Sequence, residues 1–485
     1  MNIRVDVRVR SRKKKKGGRR QCCGSLLLLL LAVLGLSSSR VCARRESFKV
    51  EYLPGFRHEG PLPFHLETGY IGVGEAEEVQ LFYYFVRSES NHSIDPIVLW
   101  ISGGPCCSTL FALTQEFGPL IFDRPKDLKA MPTLSLNSYP WTKIANFIML
   151  DFPVGTGFSY SKNPAHPNST ILEARYHGAE FVRKWLEDRP EYQSNPFYIG
   201  GDSYSGITIP VVAQAISSGM EHGLKPKVNF KGYLLGNPAT FGQAERDYIP
   251  THIHGLGLMS DELYELWKRD CRENTSMSKC TKEMEKMQKF TIQVMMANTL
   301  MPACSWINEN DDASSQQRAL ISNKRFKGVN VHAIDISIMC YGNIIAGRWA
   351  NDVTVREALH IRKGSKETWS QCNHFLGLHY EIGISDARPY HANLSTKGYR
   401  SLIYSGDHDL LVPSISSEAW TKSLNYSILS DWRPWLVNGQ IAGYTRTFSN
   451  NMTFATAKGS GHCTPTFTPL ESFVMFKRWM SYEAL

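Results

Sequence analysis

Short apolar runs recur along the chain and alternate with longer amphipathic ones. Residues 80–86 and 97–101 are dense in aromatic and β-branched side chains and predict strands. Residues 147–151, 197–201, 230–235 and 401–405 have the same character. Between them, apolar positions repeat at helical spacing over 173–187, which stops before Arg189-Pro190, and over 207–217. Strands alternating with helices over this length predict an α/β fold: a mostly parallel central sheet with helices on both faces. Residues 255–350 break the pattern. They are rich in Met, Lys and Cys, show helical spacing at 261–269 and 281–297, and carry no strand signal. They predict a helical cap inserted over the sheet. Within it, 308–327 is polar and reads as a loop open to proteolytic nicking, an excisable linker. No internal repeat is visible.

The 485 residues suffice for one large core with an insertion, and 42% hydrophobic with 20% charged residues excludes collagen-like, disordered and many-span membrane classes. A net charge of +9 suggests nucleic acid until its distribution is considered. Residues 1–43 hold eleven Lys or Arg against the single acid Asp6, so they carry +10 and the remainder −1. That basic run precedes an apolar stretch, 26–36, and small residues ending Val41-Cys42-Ala43. The arrangement predicts a secretory signal over 1–43, with an uncleaved anchor or a misplaced start as the competing readings. The apolar stretch is too short to span a bilayer core of about 30 Å. The catalytic domain then covers 44–485.

Six Asn-x-Ser/Thr sequons, at Asn91, Asn168, Asn274, Asn393, Asn425 and Asn451, fit passage through the endoplasmic reticulum. Eight cysteines follow the leader and are disulfide candidates in an oxidising compartment. They form no paired C-x-x-C knuckles, so no structural metal is expected.

The strongest chemical signal is Gly201-Asp202-Ser203-Tyr204-Ser205-Gly206. A strand ends, a tight turn carries Ser203, and a helix begins. This nucleophile-elbow arrangement exposes the serine hydroxyl and points to an α/β-hydrolase fold. In such chains an acid and a histidine follow in that order. Tyr404–Pro413 supplies Asp407 and Asp409 after an apolar strand, and Gly459–Pro465 supplies His462 between glycines and a proline. His462 is the expected general base, and a carboxylate would fix its tautomer. The acid usually stands three residues after the strand-ending glycine, which selects Asp409 and leaves Asp407 a structural role; His408 is expected at the surface or in packing. Tyr204 N–H is one expected oxyanion donor, and the Gly-rich loop 100–105 the source of the other.

These blocks resemble the serine carboxypeptidase family and, within it, the plant serine carboxypeptidase-like acyltransferases. The matching segments are 100–108 (WISGGPCCS), 116–120 (EFGPL), 151–161 (DFPVGTGFSYS), 201–206 (GDSYSG), 406–413 and 459–465. The resemblance implies Ser203, Asp409 and His462 as a triad, and the amides of Gly104 and Tyr204 as the oxyanion hole. It also implies substrate contacts at Trp100, Ser102, Gly103, Glu116 and Asp202. It implies disulfides Cys107–Cys372, Cys271–Cys280 and Cys304–Cys340, with Cys106 and Cys463 unpaired. No cofactor is implied.

Two departures bear on function. The peptidases usually read Trp-x-Asn-Gly-Gly and Gly-Glu-Ser-Tyr-Ala-Gly, and their Asn and Glu, with a second Glu, bind a peptide's terminal carboxylate. Here Ser102 and Asp202 stand in their places and Glu116 is retained. The Asp-Ser-Tyr-Ser-Gly form resembles the acyltransferase branch, which implies transfer of an acyl group from a 1-O-β-glucose ester to an acceptor hydroxyl. The alternative is a carboxypeptidase acting on peptide C-termini at acidic pH. The second departure is Cys106, where the family normally has Gly. Strain there would impair the site, and a secreted glycoprotein that binds without turnover is the third reading. Nucleic acid is not an expected partner, nor is a membrane after signal cleavage. The expected location is the secretory pathway, ending in the vacuole or outside the cell.

Overall fold

The computed structural model describes residues 46–58, 60–123, 127, 129–163, 170–273, 277–303, 336–373 and 383–485. The expected signal, the linker 308–327, Cys304, Asn168 and Asn274 lie outside the described residues.

One twelve-stranded sheet organises the domain. Its strands are β1 (Ser47–Val50), β2 (Leu66–Val73), β3 (Val79–Val86), β4 (Ile97–Ile101), β5 (Asn146–Leu150), β6 (Tyr160–Ser161), β7 (Phe197–Asp202), β8 (Phe230–Gly236), β9 (Arg400–Gly406), β10 (Ile428–Val437), β11 (Gln440–Phe448) and β12 (Met452–Ala457). Across the sheet they run β1-β2-β3-β5-β4-β7-β8-β9-β12-β11-β10, with β6 beside β3. The centre, from β5 through β12, is parallel. Both flanks are antiparallel.

The helices that matter here are α1 (Ile171–Asp188), α2 (Ser205–Glu221), α3 (Ile249–Gly255), α4 (Asp261–Trp267), α5 (Met277–Thr291), α6 (Ile336–Asn351), α7 (Ser414–Ser423) and α8 (Pro469–Met480). Alternate strand residues enter two separate cores, as a pleated sheet covered on both faces requires. Leu81, Tyr83 and Phe85 join Ile148, Ile199 and Leu235 under α1, α2 and α7. Phe82, Tyr84 and Val86 join Met149, Tyr198 and Leu234 under α6 and α8. On the second face the Trp141 and Phe476 rings stack at 4.3 Å. The Thr170 hydroxyl accepts from Glu173 N at 3.2 Å and the Glu173 carboxylate accepts from Thr170 N, a capping box that starts α1.

Two features escape the sequence pattern. Residues of β10 are mostly solvent-exposed on both faces, so no alternation marks that strand. The cap is not wholly helical. The helix expected over 281–297 ends at Thr291, and Val294–Met295 pairs antiparallel with Asn298–Pro302. Tertiary bonds override helical spacing there, because the carbonyls of Met296 and Ala297 turn out to accept from Leu410 N and His462 N.

The central strands place the chemistry. Gly236 stands level with Asp202 on one side and Tyr404 on the other, and Gly406 level with Ala457. The segments leaving β4, β7, β8, β9 and β12 therefore emerge along one sheet edge, at spacings of about 4.8 Å.

Candidate active site

Ser203 sits where β7 turns into α2, with φ +57°, a strained left-handed conformation for a non-glycine residue. The turn is pinned on three sides. Ser203 N donates to Gly236 O at 2.9 Å, and Ser203 O accepts from Gly206 N and Ala239 N, each at 2.9 Å. The Ser205 hydroxyl donates to Ile101 O at 2.8 Å, tying the start of α2 to β4. The Gly103–Gly104 loop lies directly on this elbow: a Cβ at residue 103 would stand 2.6 Å from Ser203 Cβ and 2.8 Å from Tyr204 N. The two amides expected to form an oxyanion hole are thus on backbone segments in contact.

His462 Nδ1 donates to Asp409 Oδ2 at 2.7 Å. Asp409 is fully buried, and its carboxylate also accepts from Leu411 N at 2.8 Å, Val412 N at 3.2 Å and Asn237 Nδ2 at 2.8 Å. Four donors hold the charge in place without water. Burial pulls the His462 imidazole down, but the Asp409 charge and hydrogen bond, with Asp202 adding, leave it above its ordinary value. Asp407, the competing acid, instead accepts from Gly459 N at 2.7 Å. His408 Nδ1 stands 2.8 Å from the Thr299 hydroxyl. Among the described residues no hydrogen bond joins the Ser203 hydroxyl to the imidazole. Such contacts are often long before substrate closes them.

Asn237 is the residue that sequence reasoning missed. Its side chain donates to Asp409 and accepts from Gly406 N at 3.2 Å and from the Thr464 hydroxyl at 3.0 Å. It follows β8 directly, next to the carbonyl that holds Ser203 N. One amide therefore ties the elbow, the acid loop and the segment after His462. The signal available was a lone polar residue between an apolar strand and Pro238.

Beside this centre lies a group of buried polar atoms with no protein partner: Ser102 Oγ, both Glu116 carboxylate oxygens, Asp202 Oδ1 and the Tyr404 hydroxyl. Burial, with the Asp202 charge adding, pushes Glu116 well above the usual carboxylate range. Burial raises Asp202 to about 6 against the pull of His462. The Asp202 charge opposes ionisation of Glu116, so Glu116 keeps its proton when Asp202 loses its own. Unsatisfied buried polar atoms are costly, and a group of them beside Ser203 is suited to receive ligand oxygens.

The Trp100 ring is buried in the core, edge-on to Phe117 at 4.6 Å and Trp141 at 5.9 Å, and its buried Nε1 has no protein partner. Cys106 adopts φ +69°, the conformation that favours glycine. Its buried thiol is pushed up to about 12 by desolvation, against a bond from Thr156, which makes it a poor nucleophile. Cys463 is also unpaired. The Cys107–Cys372 and Cys271–Cys280 disulfides are present. The described sequons Asn91, Asn393, Asn425 and Asn451 are all exposed. Among the described residues no helix is long and apolar enough to cross a membrane.

The family model for serine carboxypeptidases matches residues 54–482. Serine carboxypeptidase-like 12 of Arabidopsis thaliana is 47% identical over 439 residues, covering 89% of this chain and 94% of that protein. Serine carboxypeptidase-like 10 of the same plant is 46% identical over 442 residues, covering 90% and 94%. Among solved structures, KEX1(delta)p, a prohormone-processing carboxypeptidase from Saccharomyces cerevisiae, matches with a TM-score of 0.69 at 19% identity, over 90% of this chain and 95% of that one. That last likeness is one of fold.

Proposed function

Because this chain belongs to the serine carboxypeptidase family, we propose that it transfers an acyl group from a 1-O-β-glucose ester to an acceptor hydroxyl through an acyl-enzyme on Ser203. The observation that carries acyl chemistry is the buried Asp409–His462 bond, tied through Asn237 to the strained Ser203 turn.

Ser203 Oγ attacks the ester carbonyl while His462 Nε2 takes its proton. The amides of Gly104 and Tyr204 receive the developing negative charge. The bond to glucose breaks, and His462 protonates the departing sugar oxygen. An acceptor hydroxyl then gives its proton to His462 and attacks the acyl carbon, and the acyl bond to Ser203 breaks as His462 returns the proton to Ser203 Oγ. Transfer outruns hydrolysis when the acceptor is positioned and water is kept out.

The donor class rests on Ser102 and Asp202, which replace an amide and a longer carboxyl with groups suited to sugar hydroxyls. The second reading, peptide C-terminal cleavage, is favoured by the Glu116–Asp202 pair, which can share a proton with a substrate carboxylate. Incubation with sinapoyl- or galloyl-glucose plus an alcohol acceptor, and separately with a blocked dipeptide, divides the two. The expected result is ester transfer with glucose release. Rapid dipeptide cleavage without transfer would reverse the order. We place the enzyme in the secretory pathway, vacuolar or extracellular, with glycans on the exposed sequons.

The carboxyl pair gives the donor site a pH signature. With Asp202 raised to about 6, it is protonated below that pH and donates to a sugar oxygen. Above it, Asp202 ionises and only accepts. KM for the glucose ester is expected to rise as pH passes from 5 to 7.5, and Asp202→Asn to flatten that rise. A rise in KM with identical slope in Asp202→Asn would remove Asp202 from donor binding.

A further inference from the structure

The loops carrying Asp409 and His462 leave the sheet, but their outer sides are held by the cap. His462 N donates to Ala297 O at 2.7 Å, Leu410 N to Met296 O at 2.9 Å and Thr299 N to His408 O at 3.0 Å. The Thr299 hydroxyl stands 2.8 Å from His408 Nδ1. Leu410, fully buried, packs with Ile253 and with the cap residues Met259, Leu263 and Met287. A Cβ at residue 461 would stand 2.0 Å from Ala297 O, so the glycine before the histidine is what lets the two segments close.

We propose that the hairpin Val294–Met295/Asn298–Pro302 is a positioning element for catalysis, setting the His462 and Asp409 loops against each other, with Thr299 its key side chain. The inference rests on the acyl-transfer reading above. The base precedes the helix at Thr464–Phe467, and the acid follows β9. Asn237 joins both loops on the inside, and the hairpin joins them on the outside. Removing the outer tie lets the imidazole drift from Asp409 and from the elbow, where a displacement of about 1 Å costs roughly 100-fold in rate. The charged groups facing His462 are Asp409 and Asp202, and both raise its proton affinity against burial. A looser Asp409 contact therefore lowers the imidazole pKa.

The test uses the full-length chain with Thr299→Val, the conservative Thr299→Ser and Gly461→Ala. Thr299→Val is expected to lower kcat about tenfold with KM within about twofold, and Gly461→Ala about 100-fold. The acid limb of the pH profile should move to lower pH in Thr299→Val, and Thr299→Ser should restore both. Titration of His462 by nuclear magnetic resonance gives a readout independent of turnover, and Thr299→Val should lower its pKa. Wild-type kcat and an unmoved His462 titration in Thr299→Val would overturn the positioning role, as would a fall in melting temperature with neither shift. If wild type transfers no acyl group yet Thr299→Val still lowers the His462 pKa, the hairpin role stands and the acyl-transfer reading fails.

Discussion

Asp409→Asn is expected to lower kcat about 10⁴-fold in a protein that remains folded. Asp409 lies in a shell of donors: Leu411 N, Val412 N, Asn237 Nδ2 and His462 Nδ1. A neutral amide must turn its NH₂ toward one of them. Facing the imidazole, it favours the tautomer with the proton on Nε2, which cannot accept from Ser203. Even with the ring in place, the charge that stabilises the imidazolium in the transition state is gone. Carboxamide and carboxylate have nearly the same volume, so packing around the buried side chain survives. Steady-state rates with circular dichroism on the same samples check this. A loss under tenfold in a folded variant would show that Asp409 does not orient the base.

Asp151→Ala is expected to destabilise the protein by about 4 kcal/mol, a large effect for one substitution. Asp151 follows β5 directly, is fully buried, and accepts from the Ser108 hydroxyl at 2.7 Å, Thr109 N at 2.9 Å, the Thr109 hydroxyl at 3.2 Å and Phe158 N at 2.9 Å. Its burial raises its pKa to about 6 against those bonds. Alanine orphans four donors that water cannot reach. Ser108 follows Cys107, which is bonded to Cys372, so the same carboxylate steadies the loop carrying Gly103 and Gly104. The loss should appear as a lower urea midpoint with unchanged slope, and acyl transfer should weaken before global unfolding. A midpoint within the error of wild type would mean that the donors find other partners.

The central strands and the elbow were legible because their signals are local. Buried parallel strands read as continuous apolar runs, and a strand ending in Gly-Asp-Ser before a helix admits few other structures. Asp409 over Asp407 was decided by a spacing rule, and the two side chains do separate, one to His462 and the other to Gly459 N. What escaped depends on contacts between distant segments. Asn237 has no local mark of its role, since its three partners come from residues 406, 409 and 464. The cap hairpin is invisible in a segment with helical spacing, because its turn forms against His462 and Leu410.

The most direct measurement is reaction of the folded protein with a fluorophosphonate, followed by peptide mass spectrometry. One adduct on Ser203 is expected in wild type, with none in His462→Ala at matched times. Wild-type protein that is folded and carries no adduct, or carries it on another residue, would contradict a serine nucleophile activated by His462 and Asp409.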